Sequence, residues 1–188
     1  MENSSPHSSK QPSTLPVAAP APKQILARHG KSFYWASLFL GSQLADRCAQ
    51  LYQFCRFVDD LADGDLPNRE ESLEDIRTRL SSNDRLACVE VEAFMRLATD
   101  NNIPLIAARE LLDGMLTDQQ PTAVGDEAEL LRYCHAVAGT VGLMMCRVLN
   151  CKEQRADSFA IDLGIAMQLT NIARDVLEDA KMGRRYLP

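Results

Sequence analysis

The stretch LYQFCRFVDDLAD, residues 51–63, gathers three aspartates behind an arginine and an apolar, aromatic run. On a helix Tyr52, Arg56, Asp59 and Asp63, spaced by four, three and four residues, share one face. Asp60 lies about 100° round from Asp59, at the edge of that row. Carboxylates three or four positions apart repel, so the row costs stability unless a positive charge sits among them. A second segment repeats the arrangement: Gln168, Asn171, Asp175 and Asp179 are spaced by three, four and four, with Arg174 and Glu178 flanking. One acidic row by itself is commonly a solvated helix face. Two rows, each with an amide or arginine companion, point to a shared cleft for a hard divalent cation. Mg²⁺ takes oxygen ligands and bridges one or two carboxylates to phosphate oxygens, and Arg56 can reach such an anion directly.

Each row needs a helix to carry it and an apolar stripe to anchor that helix. Leu51, Phe54, Val58 and Leu61 supply the first stripe, and Ile165, Leu169, Ile172 and Val176 the second. Residues 33–65 keep apolar positions at three- and four-residue intervals and break at Gly64 and Pro67. Asn68 followed by Glu71 reads as a capping-box entry to a helix over NREESLEDIRTRL. Residues 84–102 end in an asparagine pair, and Pro104 fits the first turn of the helix that follows. Residues 126–150 and 152–183 complete the set. No stretch alternates with period two, so the fold class read from the sequence is all-α. Gly139 and Gly142 each cost a helix about 1 kcal/mol relative to alanine. Either a close neighbouring helix or a long ligand chain would account for them.

The composition limits the rest. The chain has 188 residues, 46% hydrophobic and 24% charged, which suits one globular domain. A net charge of −6 and the absence of a basic stripe disfavour a nucleic-acid partner. Cys48, Cys55, Cys88, Cys134, Cys146 and Cys151 include no C-x-x-C pair and read as small buried hydrophobes in a reducing, cytoplasmic setting. No apolar run is long enough to span a bilayer. Residues 1–23 hold five of the nine prolines, many serines and no aromatic residue, so they read as a disordered tail ahead of a domain over 24–188. A plastid leader is disfavoured because no arginine precedes Arg28.

The sequence resembles the squalene/phytoene synthase family, the head-to-head prenyl transferases, and within it the bacterial phytoene synthases. Five ordered blocks carry the resemblance: HGKSF at 29–33, FCRFVDDLAD at 54–63, DGMLTD at 113–118, YCHAVAGTVGLMM at 133–145 and QLTNIARDVLEDAKMGRRYLP at 168–188. It implies an all-α isoprenoid-synthase fold around a central cavity. It also implies Mg²⁺ (with Mn²⁺ as a substitute) and two allylic prenyl diphosphates joined through a cyclopropyl intermediate. On this resemblance Asp59, Asp63, Asp175 and Asp179 hold metal, with Asn171 beside them. Arg56, Arg174, His29 and Lys31 meet diphosphate oxygens. Gln168 and Asn171 orient the same groups, Tyr52 and Tyr133 line the reacting centre, and Ser32 and Phe33 shape the wall.

Geranylgeranyl diphosphate and phytoene are the expected substrate and product, with farnesyl diphosphate and a squalene-type product as the alternative. No G-x-G-x-x-G occurs, which agrees with a product that needs no reductant. Greasy substrates also suggest peripheral membrane contact. Family members continue with further helices beyond the second acidic block. The expectation is therefore a domain without its C-terminal part, an open cavity and weak activity or none. A terpenoid cyclase and a non-catalytic helical scaffold remain competing readings.

Overall fold

The computed structural model describes residues 21–64, 68–82, 88–119 and 122–188. The predicted tail therefore lies mostly outside the described residues. The first described helix, α1 (Pro22–His29), begins within two residues of the domain start read at residue 24. Pro22 takes the first helical position, where a missing N–H costs nothing, and Lys23 Nζ pairs with Asp46 at 2.7 Å. The long helix expected from residue 33 is interrupted. α2 (Lys31–Ser37) ends in turns at residues 38–40, and α3 (Ser42–Asp63) starts afresh after Gly41.

The other elements are α4 (Arg69–Ser82), α5 (Val89–Asn101), α6 (Leu105–Thr117) and α7 (Glu127–Cys134), then α8 (Thr140–Val148), α9 (Gln154–Arg174) and α10 (Val176–Lys181). Asn102 closes α5 in the left-handed region at φ 53°, a conformation asparagine tolerates. Pro104 precedes α6 as its N-cap and not inside its first turn. Asp126 caps α7 by accepting from the Glu129 N–H at 2.8 Å. Between α7 and α8 the chain stays helical but widens to a π-turn over His135–Gly139, which periodicity could not show. Among the described residues there is no strand, only an isolated parallel bridge between Ala123 and Arg185.

The first apolar stripe packs as its spacing requires. Leu51, Phe54 and Val58 of α3 are buried against Leu73 of α4, Phe94 of α5, Leu111 and Leu112 of α6 and Met144 of α8. Phe54 and Phe94 stack with ring centroids 3.8 Å apart. The second stripe is less covered. Ile172 is buried with Val124, Leu130, Cys134 and Tyr186, and Ile165 and Leu169 pack against that cluster, whereas Val176 is exposed. Phe159, Leu163 and Met167 on α9, and Trp35 and Phe39 near α2, also turn apolar surface outward. Of the six thiols, Cys48, Cys134 and Cys146 are buried and Cys151 is exposed, because it follows the α8 terminus instead of lying inside an apolar face.

Two glycines set how closely α9 approaches α8 and the π-turn before it. A Cβ on Gly142 would stand inside van der Waals contact with the Ala160 carbonyl oxygen, and one on Gly164 inside contact with that of Ala138. A neighbouring backbone, not a ligand, thus accounts for Gly142. The close seam decides where α9 lies relative to the bundle, and α9 carries the second polar row.

Candidate active site

α3 and the α9–α10 pair turn their polar rows toward each other. A cleft of about 590 Å³ is lined on one side by Arg56, Asp59 and Asp63, and on the other by Gln168, Asn171, Arg174, Asp175 and Asp179. The second row survives a break in its helix. Asp175, at φ −103°, separates α9 from α10, yet its N–H bonds the Asn171 carbonyl and its own carbonyl accepts from Asp179, both at 2.9 Å. The four residues therefore stay in register on one side. His29 and Tyr133 also border the cleft.

Other expected residues lie elsewhere. Lys31 and Ser32 stand exposed at the start of α2 and do not border the cleft, because the turn at Gly30 directs α2 away from it. Asp60 is exposed on the flank of α3, where it pairs with Arg56. Tyr52 and Phe33, with ring centroids 6.4 Å apart, line an apolar groove of about 350 Å³ together with Leu26, Leu40 and Cys55. Burial, with the Asp59 charge adding to it, pushes the Cys55 thiol up to about 12 and leaves it an inert wall. A second apolar groove, about 360 Å³, runs between α8 and α9 past Gly142, Gly164 and Met167. It shares Val137, Gln168 and Asn171 with the acidic cleft, and Phe33, Val141, Met145 and Leu149 with the first groove. Polar cleft and both grooves thus form one connected surface.

The electrostatics describe an unbalanced acidic site. Burial and then the Asp63 charge push Asp59 up to about 6, against the pull of Arg56, which donates to Asp59 at 3.1 Å. Burial and the Asp175 charge raise Asp179, whereas hydrogen bonding from Arg174 holds Asp175 below the usual carboxylate range. Arg56 Nε is buried without a hydrogen-bond partner. Among the described residues no three His, Cys, Asp or Glu side chains converge on one ion's position. The donor set fits Mg²⁺, which takes one or two carboxylates and completes its shell with water and phosphate oxygens. It does not fit a closed all-protein metal cage.

Asp118, Arg184 and Tyr186 are among the cleft residues that had no assigned role from sequence. Arg184 donates through Nη1 and Nη2 to Asp63 Oδ1, both at 3.2 Å, and so crosses from the second acidic segment to the first. The only local signal was a basic pair soon after Asp179, and a contact across 121 positions cannot be read from spacing.

Comparison with known proteins identifies the family and the fold. Residues 26–188 match the family described as squalene/phytoene synthase. A 15-cis-phytoene synthase of Paracoccus sp. is 34% identical over 176 residues, covering 88% of this chain and 58% of its own length. A phytoene synthase of Thermus thermophilus is 37% identical over 181 residues, covering 95% and 62%. The chain thus spans about three fifths of the length of these curated relatives. A crystal structure of a dehydrosqualene synthase in complex with a ligand superposes with a TM-score of 0.76 at 33% identity, over 88% of this chain and 59% of that one. A squalene synthase of Alicyclobacillus acidocaldarius, at TM-score 0.75 and 23% identity over 87% and 63%, shares the fold. The bundle is the all-α isoprenoid-synthase fold, and with a match reaching from α1 to the last residue the chain belongs to the squalene/phytoene synthase family.

Proposed function

We propose that this chain carries the diphosphate-binding site of a head-to-head prenyl transferase, which joins two geranylgeranyl diphosphates into phytoene through a cyclopropyl intermediate. The observation that carries the reading is the convergence of two acidic rows, from α3 and from α9–α10, on one cleft that opens into two linked apolar grooves. Two grooves suit two isoprenoid tails, and their shared wall at Val141 and Met145 would hold the tails side by side.

Asp59 and Asp63 would hold Mg²⁺ from one side, and Asp175 and Asp179, with Asn171, from the other. Bound there, Mg²⁺ would supply charge neutralisation for a departing diphosphate. The chain's own groups would do the rest. Arg56 lies at the cleft with an unsatisfied buried Nε and would aim its guanidinium at the diphosphate oxygens. Arg174 is engaged by Asp175 at 2.6 Å and would turn toward the anion once that carboxylate is occupied. His29 would add a donor at the rim, and Gln168, bonded to Asn171 at 3.3 Å, would orient it. Burial raises the Tyr133 phenol well above its ordinary value, so it stays protonated at the cleft wall, donating to Asp118. The apolar grooves would keep water from the allylic cation, with Tyr52 and Phe33 offering π-faces.

A second reading has its own support. The dehydrosqualene synthase similarity favours farnesyl diphosphate and a shorter product. Incubating the chain with Mg²⁺ and labelled geranylgeranyl or farnesyl diphosphate separates the readings. A C40 product from the former supports phytoene formation, and a C30 product supports the alternative. A cyclic product would indicate a terpenoid cyclase. Retained magnesium-diphosphate affinity with no turnover would leave a non-catalytic fragment of the fold.

A further inference from the structure

The block DGMLTD ends at Asp118, a residue that neither acidic row includes. Asp118 follows α6 at the floor of the cleft. Its Oδ2 accepts from two phenols, Tyr133 Oη at 2.7 Å and Tyr186 Oη at 2.8 Å, and its Oδ1 accepts from Thr122 Oγ1 at 3.3 Å. The two tyrosine rings stack with centroids 4.6 Å apart, and Tyr186 is only 5% exposed. Three hydroxyls on one carboxylate commit most of its acceptor capacity, which suits an anchor better than a metal ligand.

The anchored chain is the extended segment after α10. Arg185 N–H donates to Thr122 O at 2.8 Å, and Val124 N–H donates to Arg185 O at 2.9 Å. This backbone bridge holds Arg185 against the α6–α7 connection. Arg184 and Tyr186 both line the cleft, whereas Arg185 between them does not. Tyr186 is fixed on Asp118, and Arg184 is therefore directed into the cleft. There its side chain, 17% exposed, bonds Asp63 and lies near enough to favour the charged forms of Asp59 and Asp179 as well.

We infer that Asp118 is a positioning residue that, through the Tyr133–Tyr186 stack, holds Arg184 between the two acidic rows so that the cleft is assembled before magnesium and diphosphate arrive. The inference rests on the diphosphate-binding reading above. In the metal-free chain Arg184 offsets the repulsion between the rows. When an anion is bound, the same guanidinium stands within the cleft as an additional donor.

The test is a double-mutant cycle on the full chain, with affinity for inorganic pyrophosphate in the presence of Mg²⁺ measured by calorimetry and folding checked by circular dichroism. Arg184→Gln and Asp118→Asn should each weaken binding by about tenfold or more, the weight of a charge-assisted hydrogen bond. The double variant should bind no worse than Arg184→Gln alone, because Asp118 acts through Arg184. Simple loosening of the fold would instead add to the Arg184 loss. Tyr186→Phe keeps the ring stack and removes one donor, and it closes the same cycle if Asp118→Asn does not fold. Unchanged affinity in Asp118→Asn, or losses that add in the double variant, would overturn the positioning role. An unmodified chain that fails to bind magnesium pyrophosphate would overturn the functional reading beneath it, and the inference with it.

Discussion

Gly142→Ala tests whether the α8–α9 seam governs the site. In an ordinary helix interior this change stabilises by about 1 kcal/mol, since alanine is the better helix former. Here the new Cβ would collide with the Ala160 carbonyl oxygen, a backbone atom that cannot move without moving α9. Overpacking of this kind costs about 1–3 kcal/mol, and an unyielding backbone neighbour puts this position at the upper end. The net expectation is a loss of about 1–2 kcal/mol, or roughly 2–8 °C in Tm for a chain of this size. Gly164→Ala, facing the Ala138 oxygen, should behave alike. Gly41→Ala is the control: its added Cβ meets nothing within 4 Å, so it should stay within about 0.5 kcal/mol. Thermal melts followed by circular dichroism give the stabilities, and calorimetry with magnesium pyrophosphate gives the affinity. Binding should weaken in both seam variants, because α9 carries Gln168 and Asn171. A raised Tm for Gly142→Ala would refute the reasoning outright, since it would mean that propensity prevails and the seam is slack.

Met145→Trp fills the wall shared by both apolar grooves, so affinity for a prenyl diphosphate should fall by about tenfold or more while affinity for pyrophosphate stays as it was. Asp59→Asn should abolish most magnesium-dependent pyrophosphate binding. Its effect on the metal-free chain should be stabilising by no more than about 1 kcal/mol, since the charge it removes is disfavoured but 47% exposed and screened by solvent. The pH dependence has a defined sign. The folded chain holds Asp59 at about 6 against an ordinary 3.8, so between those values it keeps a proton that the unfolded chain has lost. Metal-free stability should therefore rise as pH falls through that window, and saturating Mg²⁺ should remove the rise by favouring the carboxylate. Asp175, held low by Arg174, contributes stability that is lost only at still lower pH. Melting curves at stepped pH, with and without Mg²⁺, would reveal a flat metal-free profile if the Asp59 argument fails.

Period and residue type alone determined the helical class, the two polar rows and the stripes that anchor them. The spacing of Arg56, Asp59 and Asp63 puts those side chains on one side of α3 whatever surrounds it, and Leu51, Phe54 and Val58 bury the other side. The break at Asp175 left the second row intact because its backbone bonds keep helical register. Tertiary structure decided what spacing cannot encode. The fit of Gly142 against Ala160 and of Gly164 against Ala138 fixes how closely α9 approaches its neighbours, and the turn at Gly30 sends α2 and Lys31 away from the cleft. Asp118, Tyr186 and Arg184 acquire a common purpose only where a bridge between Ala123 and Arg185 brings distant segments together. Helical periodicity constrains neighbours within a turn or two, whereas the partner across a cleft is chosen by packing, which no local pattern records.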